Sequence, residues 1–178
     1  MAMDLLDFAG EHLYYDEAIE LETQECIDMA AENYGDKSAE DLLLRAYFLE
    51  PEHPVVLVAL YRFFYYQFRY QDALRIADRV LKIFSVRLEL PHHWQEVTTQ
   101  HIDNGAVSGM VDLRFYLLAL KGAGYLELRL ESFDSALERL KKVVELDAKD
   151  RLGAASLLEI AQDEINRKAG IYRVKFRG

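Results

Sequence analysis

The chain has 178 residues, of which 51% are hydrophobic and 29% charged, and this composition predicts a single globular domain with a real core. Its formal net charge of −10 argues against nucleic acid or an anionic membrane as the main partner. The single cysteine, Cys26, excludes an internal disulfide, and the acidic start of the chain does not resemble a secretory signal. We therefore expect a cytoplasmic protein.

The first half of the chain predicts two helix pairs. A helix over about 16–33 ends at Gly35, and a second helix over about 38–49 ends before Pro51. Pro54 suits the first turn of a third helix, and seven of the ten residues over 61–70 are aromatic. The fourth helix carries a single apolar stripe, formed by Ala73, Leu74, Ala77, Val80, Leu81 and Phe84. The pairs are predicted to span 20–53 and 54–87.

An internal repeat sets the organisation of the whole chain. Ala39 and Ala73 each open the second helix of a pair, and they are 34 residues apart. The same apolar offsets return from Ala136, which lies 63 residues after Ala73, so about 29 residues are inserted beyond one period. We predict one domain over 1–178, with a third pair over 117–150, an insertion over 88–116, a half-repeat over 151–167 and a basic tail over 168–178.

The third copy resembles the tetratricopeptide repeat (TPR) family. The resemblance rests on Leu120-Lys-Gly-Ala-Gly124-Tyr-Leu, on Phe133-Asp-Ser-Ala136-Leu and on Val143-Val-Glu-Leu-Asp147. It implies an all-α, TPR-like superhelix of about three helix pairs plus a C-terminal capping helix. It also implies that the small residue Gly124 lets the second helix pack closely. The second copy departs from the family pattern at that place, because it carries Tyr61.

Two further stretches are similar to short TPR proteins encoded beside bacterial nitrogen-fixation genes. They are Arg114-Phe-Tyr-Leu-Leu-Ala-Leu-Lys-Gly-Ala-Gly-Tyr and Glu145-Leu-Asp-Ala-Lys-Asp-Arg-Leu-Gly-Ala. This similarity implies a helper role in nitrogen fixation and no catalysis.

The TPR resemblance places a binding groove along the first helix of each pair. The residues that it assigns to partner contact are Arg62, Tyr65, Tyr66, Arg69, Tyr125, Arg129 and Asp28. Tyr and Arg dominate binding hot spots, because they bury large areas and still offer hydrogen bonds. We expect an acidic or C-terminal segment of a partner protein to lie there. The alternative for the same stretch is that its phenylalanines form core and its tyrosines only surround that core.

The insertion contains three of the five histidines, His92, His93 and His101, together with the only tryptophan. Three histidines could hold zinc, but no pair has the i, i+4 spacing of a helical metal site. We therefore expect a short helix over 92–99, with Trp94 packed back on the repeats, and a flexible return over 105–109. No metal site and no cofactor are predicted.

The sequence contains no phosphate-binding glycine loop and no nucleophile elbow. We predict a non-enzymatic adaptor that binds another protein or peptide segment. One alternative is a metal-binding enzyme or sensor built on the insertion. Another is a self-assembling structural subunit, such as a homodimer, that assembles through the aromatic helix. Separately, the basic tail could dock on the acidic body, or in the groove of a neighbouring copy, and so give self-association.

Overall fold

The structure, a computed structural model, describes residues 17–170, apart from the side chains of residues 106–108. Every regular element within these residues is helical, which confirms the all-α prediction. The helices are α1 (Leu21–Glu32), α2 (Lys37–Leu49), α3 (Pro54–Tyr66), α4 (Tyr70–Arg87), α5 (Thr99–Ser108), α6 (Met110–Arg129), α7 (Phe133–Leu146) and α8 (Ala155–Lys168). None of them combines the length and the apolar composition that crossing a bilayer requires.

Neighbouring helices form hairpins that stack in chain order. α1 pairs with α2, α3 with α4, and α6 with α7, each through a turn of three or four residues. Turns this short make the paired helices antiparallel. α3 packs on α2, α6 packs on α4, and α8 packs on α7. The most N-terminal residues and most of the predicted basic tail, 1–16 and 171–178, lie outside the described residues.

The start and the buried face of the second hairpin follow directly from its sequence. Pro54 occupies the first position of α3, where no backbone N–H is needed. The His53 side chain accepts a hydrogen bond from the Val55 N–H at 3.3 Å and so caps this helix. On α4, all six residues of the predicted apolar stripe are buried.

The α3–α4 and α6–α7 hairpins turn in the same way. In the first, Phe68 has a φ of 59°, and the Arg69 N–H donates to the carbonyl five residues earlier at 2.9 Å. In the second, Glu131 has a φ of 58°, and the Ser132 N–H donates across the same span at 2.9 Å. Both are Schellman motifs with a non-glycine residue in the left-handed position. Equivalent residues of the two turns are 63 positions apart, as in the apolar pattern.

The hairpins differ where their two helices meet. A Cβ atom added at Gly124 on α6 would lie 2.9 Å from Leu140 Cγ on α7, so the close approach expected at this glycine is confirmed. In the second hairpin the equivalent positions hold Tyr61 on α3 and Ala77 on α4, both buried. The larger residue of the contact is therefore Tyr61, on the first helix, in the second hairpin, and Leu140, on the second helix, in the third hairpin.

An ion cluster, which is buried at Glu127 and partly exposed at Asp78, joins the second and third hairpins. Glu127 on α6 is 6% exposed, and its Oε1 accepts a hydrogen bond from Arg139 Nε at 2.9 Å. Arg139 Nη1 lies 2.9 Å from Asp78 Oδ1 on α4. Burial raises the pKa of the Glu127 carboxyl, and the attraction of Arg139 offsets only part of that rise.

The insertion differs from the prediction in its helices. Only Trp94–Glu96 makes a turn of 3₁₀ helix, so the expected helix over 92–99 is wrong. The expected flexible return over 105–109 is also wrong, because α5 continues through Ser108. The reason is a capping box at Thr98, which accepts from the backbone of His101 and starts α5 there.

The insertion is held against the third hairpin, as was expected for Trp94. The guanidinium of Arg139 lies 5.3 Å from the centre of the Trp94 ring. Val97 is completely buried, and its carbonyl accepts a hydrogen bond from Lys142 Nζ at 3.2 Å. The same α7 surface therefore binds both the ion cluster and the insertion.

Candidate functional site

Tyr65 on α3 lies at the centre of the predicted groove residues. Its hydroxyl is 3.3 Å from the hydroxyl of Tyr125 on α6, and the two ring centres are 6.2 Å apart. On its other side the ring of Tyr66 is 5.6 Å away, and the ring of Tyr34 lies 6.4 Å beyond Tyr66. We call these four rings, Tyr34, Tyr66, Tyr65 and Tyr125, the tyrosine row. The row runs across the ends of three hairpins.

Arg129 adds a positive charge to the α6 end of the tyrosine row. Its Nη1 donates a hydrogen bond to the Tyr125 hydroxyl at 3.1 Å, and its guanidinium lies 4.6 Å from the centre of the Tyr70 ring. The hydrogen bond to Tyr125 is the largest contribution to a raised pKa for Arg129. No carboxylate of residues 17–170 forms an ion pair with Arg129.

Arg69 and Asp28 are placed differently from the other predicted groove residues. Arg69 donates to Glu40 Oε1 at 2.7 Å and to Asp72 Oδ2 at 2.8 Å, so its charge is already neutralised inside the chain. Asp28 is exposed on α1 and accepts a hydrogen bond from Gln24 at 2.7 Å.

Arg62 and Tyr66 belong to a pocket between the first two hairpins. The pocket has a volume of about 450 Å³. It is lined by Ile27, Ala30, Ala31, Tyr34, Leu43, Ala59, Arg62 and Tyr66. The Tyr34 hydroxyl donates to the Arg62 carbonyl oxygen at 3.4 Å. Burial raises the pKa of Tyr34, and the nearby positive charge of Arg62 works in the opposite direction. We call this cavity the α1–α3 pocket.

Two residues of the site were not among those predicted from the sequence. Tyr34 lies in the turn after α1, where the apolar register assigns no groove position, and the sequence indicated only a helix end there. Tyr70 opens α4, and its place in the aromatic run over 61–70 was the available clue. The Tyr34 ring contacts Tyr66, and the Tyr70 ring contacts Tyr65, so both reach the tyrosine row from outside the first helices of the hairpins.

The three insertion histidines are spread over different local structures. His92 and His93 are exposed neighbours whose ring centres are 5.1 Å apart. His101 is engaged at the start of α5, where its Nδ1 lies 2.9 Å from the Thr98 hydroxyl. Within residues 17–170, no group of three or more His, Cys, Asp or Glu side chains could hold a metal ion.

Comparison with known proteins gives one informative relative. No protein-family model matches the chain, and no solved structure matches it significantly. The chain is similar to an "uncharacterized 19.8 kDa protein in nifW 5′ region" from Azotobacter chroococcum mcd 1. The two sequences are 49% identical over 158 residues, which cover 89% of this chain and 88% of the relative. The similarity thus runs through nearly the whole length of both proteins.

Proposed function

This chain belongs to the same family as the nifW-region protein, and we propose that it is a non-enzymatic adaptor of the TPR type with a role in nitrogen fixation. The relative is named for its place beside a nitrogen-fixation gene, which supports that setting. The proposed activity is to hold a segment of another protein against the first helices of the hairpins.

The repeat assignment is supported by three features of the hairpins. The α3–α4 and α6–α7 turns share one geometry at a spacing of 63 residues. α6 approaches α7 closely at Gly124, as the TPR resemblance implies. α8 packs on α7 at the end of the described chain, where a capping helix is needed to cover the last hairpin.

The tyrosine row with Arg129 is the observation that carries the proposal. Aromatic rings supply large contact areas with few rotatable bonds, and both aromatic residues and arginines are enriched in binding hot spots. Tyr66 is 41% exposed, and Tyr65 is half-buried, so a partner segment can reach both rings. The unneutralised charge of Arg129 favours an acidic group on that segment.

Capture from cell extract tests the proposal. Tagged wild-type protein and the variant Tyr65→Ala/Arg129→Gln are incubated with extracts of nitrogen-fixing and of ammonium-grown cells of the source organism. We expect wild type to retain a protein from nitrogen-fixing cells, and the variant to bind it at least about tenfold more weakly. The matched control is Arg45→Gln/Tyr47→Ala, which removes the same residue types from α2.

The control decides what a loss of binding means. The tyrosine row is supported as the contact surface if wild type and Arg45→Gln/Tyr47→Ala retain the partner protein and Tyr65→Ala/Arg129→Gln loses it. If all three proteins retain the same set, the groove proposal is wrong. Loss in both variants would place the contact elsewhere.

The competing functions rest on other parts of the chain. The metal-site alternative requires His101, whose Nδ1 is already used at the start of α5. Self-association through the tail depends on residues of which 171–178 lie outside the described part of the chain. It stays a prediction that deletion of 170–178 tests, since an unchanged solution mass would contradict it.

A further inference from the structure

The α1–α3 pocket has the size and lining of a small-molecule site. Its volume of about 450 Å³ lies within the range of about 300–1,000 Å³ that such sites occupy. Five of the eight lining residues are aliphatic, with Leu43 contributed by α2 beneath the two first helices. The polar lining consists of one arginine and two tyrosines. A mostly apolar wall with a few polar groups at one side is typical of pockets that orient an amphipathic ligand.

Arg62 has a free guanidinium inside a strongly acidic chain. The sequence has 31 Asp and Glu residues against 21 Lys and Arg. The other half-buried arginines of residues 17–170, Arg79 and Arg139, both form ion pairs. Arg62 is half-buried, and no hydrogen bond or ion pair of its guanidinium occurs within the described residues. Desolvating a charge without a partner is costly, so a bound anion would stabilise this arrangement.

The surroundings of Arg62 select the kind of anion. One guanidinium balances one negative charge, and its planar fork of N–H groups matches a carboxylate. The adjoining α1 helix exposes Glu25, Asp28 and Glu32, which would repel a ligand with further negative charges. The second polar group on α3 is Tyr66, which follows Arg62 by four residues and therefore lies on the same side of the helix. Its hydroxyl can donate to the same carboxylate.

We propose that the α1–α3 pocket binds a small monocarboxylic acid with an aliphatic or aromatic body. The body packs against Ile27, Ala30 and Leu43, and the carboxylate pairs with Arg62 and accepts from Tyr66. The pocket shares Tyr34 and Tyr66 with the tyrosine row, but its ligand pairs with Arg62 and does not require Tyr65, Tyr125 or Arg129. Binding of the acid requires no partner protein, so a titration with the acid can fail while the capture experiment succeeds, and the reverse.

Isothermal titration with 4-phenylbutyrate and its uncharged analogue 4-phenylbutyramide tests the site. Both probes have the same body, and only the first carries a carboxylate. We expect wild type to bind the acid at least about tenfold more tightly than the amide, as a charge-assisted hydrogen bond provides. Arg62→Gln should remove this preference. Arg114→Gln, an exposed arginine on α6, is the matched control and should keep it.

A second variant separates loss of the site from loss of the fold. Ala31 lines the pocket but is exposed, so Ala31→Phe can fill the cavity without disturbing the core. It should abolish binding of both probes while the thermal unfolding midpoint stays close to that of wild type. This result would support the pocket as the binding site even if Arg62→Gln proved unstable.

Several outcomes would overturn the proposal. The first is the absence of binding of the acid by wild type at about 10 mM, which corresponds to a free energy weaker than about −3 kcal/mol. Equal binding of acid and amide would remove the role of Arg62, and undiminished binding by Ala31→Phe would place the ligand elsewhere. The last is binding of acetyl-Leu-Phe with a free carboxylate about tenfold or more tightly than phenylbutyrate. The pocket would then be assigned to the chain terminus of a partner, and the small-molecule assignment would be wrong.

Discussion

The second and third hairpins share a register and a turn, yet they are held together by different chemistry. Position 64 of α3 is a buried phenylalanine, and the equivalent position of α6 is the buried carboxylate of Glu127. On the second helices, Ile76 of α4 corresponds to Arg139 of α7. Two apolar residues of one hairpin thus occupy the positions of an ion pair in the other.

This difference separates the roles of the two hairpins. The ion pair of the third hairpin reaches outward, because Arg139 also contacts Asp78 on α4 and Trp94 in the insertion. In the second hairpin, Phe64 lies 4.6 Å from the guanidinium of Arg69, and the neighbouring Tyr65 and Tyr66 belong to the tyrosine row. The third hairpin thus uses Arg139 to bind its neighbours, whereas α3 of the second hairpin supplies Tyr65 and Tyr66 to the surface that we propose for partner contact.

The comparison is tested most strongly by Arg139→Ile, which gives α7 the residue of α4. Glu127 would then be a buried carboxylate without its partner, and losing one member of a buried ion pair costs about 3–5 kcal/mol. Chemical denaturation of wild type and variant measures this loss. The control is Arg75→Ile, which removes an exposed ion pair with Asp72 and should cost less than about 1 kcal/mol.

Adding Glu127→Phe to Arg139→Ile completes the transplant and should restore stability to within about 1 kcal/mol of wild type. A well-packed apolar pair is commonly as stable as the buried ion pair that it replaces. If the double variant stays as unstable as Arg139→Ile alone, then the contacts of Arg139 with Asp78 and Trp94, and not the charge of Glu127, account for the loss.

Gly124→Ala is expected to have the next largest effect. The added methyl group would meet Leu140 Cγ at 2.9 Å, and overpacking a core of this kind costs about 1–3 kcal/mol. The better helix propensity of alanine recovers up to about 1 kcal/mol, so a net loss of about 1–2 kcal/mol should appear in denaturant unfolding.

Gly105→Ala provides the matched control for Gly124→Ala. This glycine lies within α5, and an added Cβ would be an ordinary 3.6 Å from Leu113 Cδ1. It should therefore raise stability by up to about 1 kcal/mol through helix propensity alone. A loss at Gly105 as large as that at Gly124 would mean that the α6–α7 approach is not the cause.

These residues also show how far the fold could be read from the sequence. The stripe on α4, the start of α3 at Pro54 and the close approach at Gly124 all depend on local pattern, and the structure agrees with each. The partners of Arg139 were not predictable, because Asp78 and Trp94 are brought to it by packing between elements far apart in sequence. The boundaries of α5 were missed because an internal capping box set them.

The candidate site could be predicted only in part for the same reason. Tyr65, Tyr125 and Arg129 were chosen by register and do contact one another. Arg69 has the same register but is neutralised by Glu40 and Asp72, which a one-dimensional pattern does not reveal. The pocket required Tyr34, whose position in a turn has no helical register.

The shared turn geometry predicts a smaller, stabilising change. Glu131 holds a φ of 58°, in the region that glycine adopts most easily. Glu131→Gly should raise the free energy of unfolding by up to about 1 kcal/mol. The relief of the left-handed backbone strain outweighs the entropy that glycine adds to the unfolded chain. Glu131→Ala should change it by only a few tenths of a kcal/mol. Equal effects of glycine and alanine would show that the left-handed backbone carries no cost in this turn.

Glu127→Gln should change the pH dependence of stability more than stability itself. Because the folded-state pKa of Glu127 is raised above its usual value of 4.5, the folded protein binds more protons than the unfolded chain between the two pKa values. The free energy of unfolding contributed by this group is therefore highest below about pH 4.5 and falls as the pH rises through the raised pKa. Glutamine does not titrate, so the variant lacks this fall. The stability of the variant relative to wild type should consequently increase from about pH 4 to about pH 7 in denaturant unfolding. A relative stability that decreases over this range would mean that attraction to Arg139 outweighs burial at Glu127. The third hairpin would then be stabilised by an ionised carboxylate at the position where the second hairpin has the aromatic ring of Phe64.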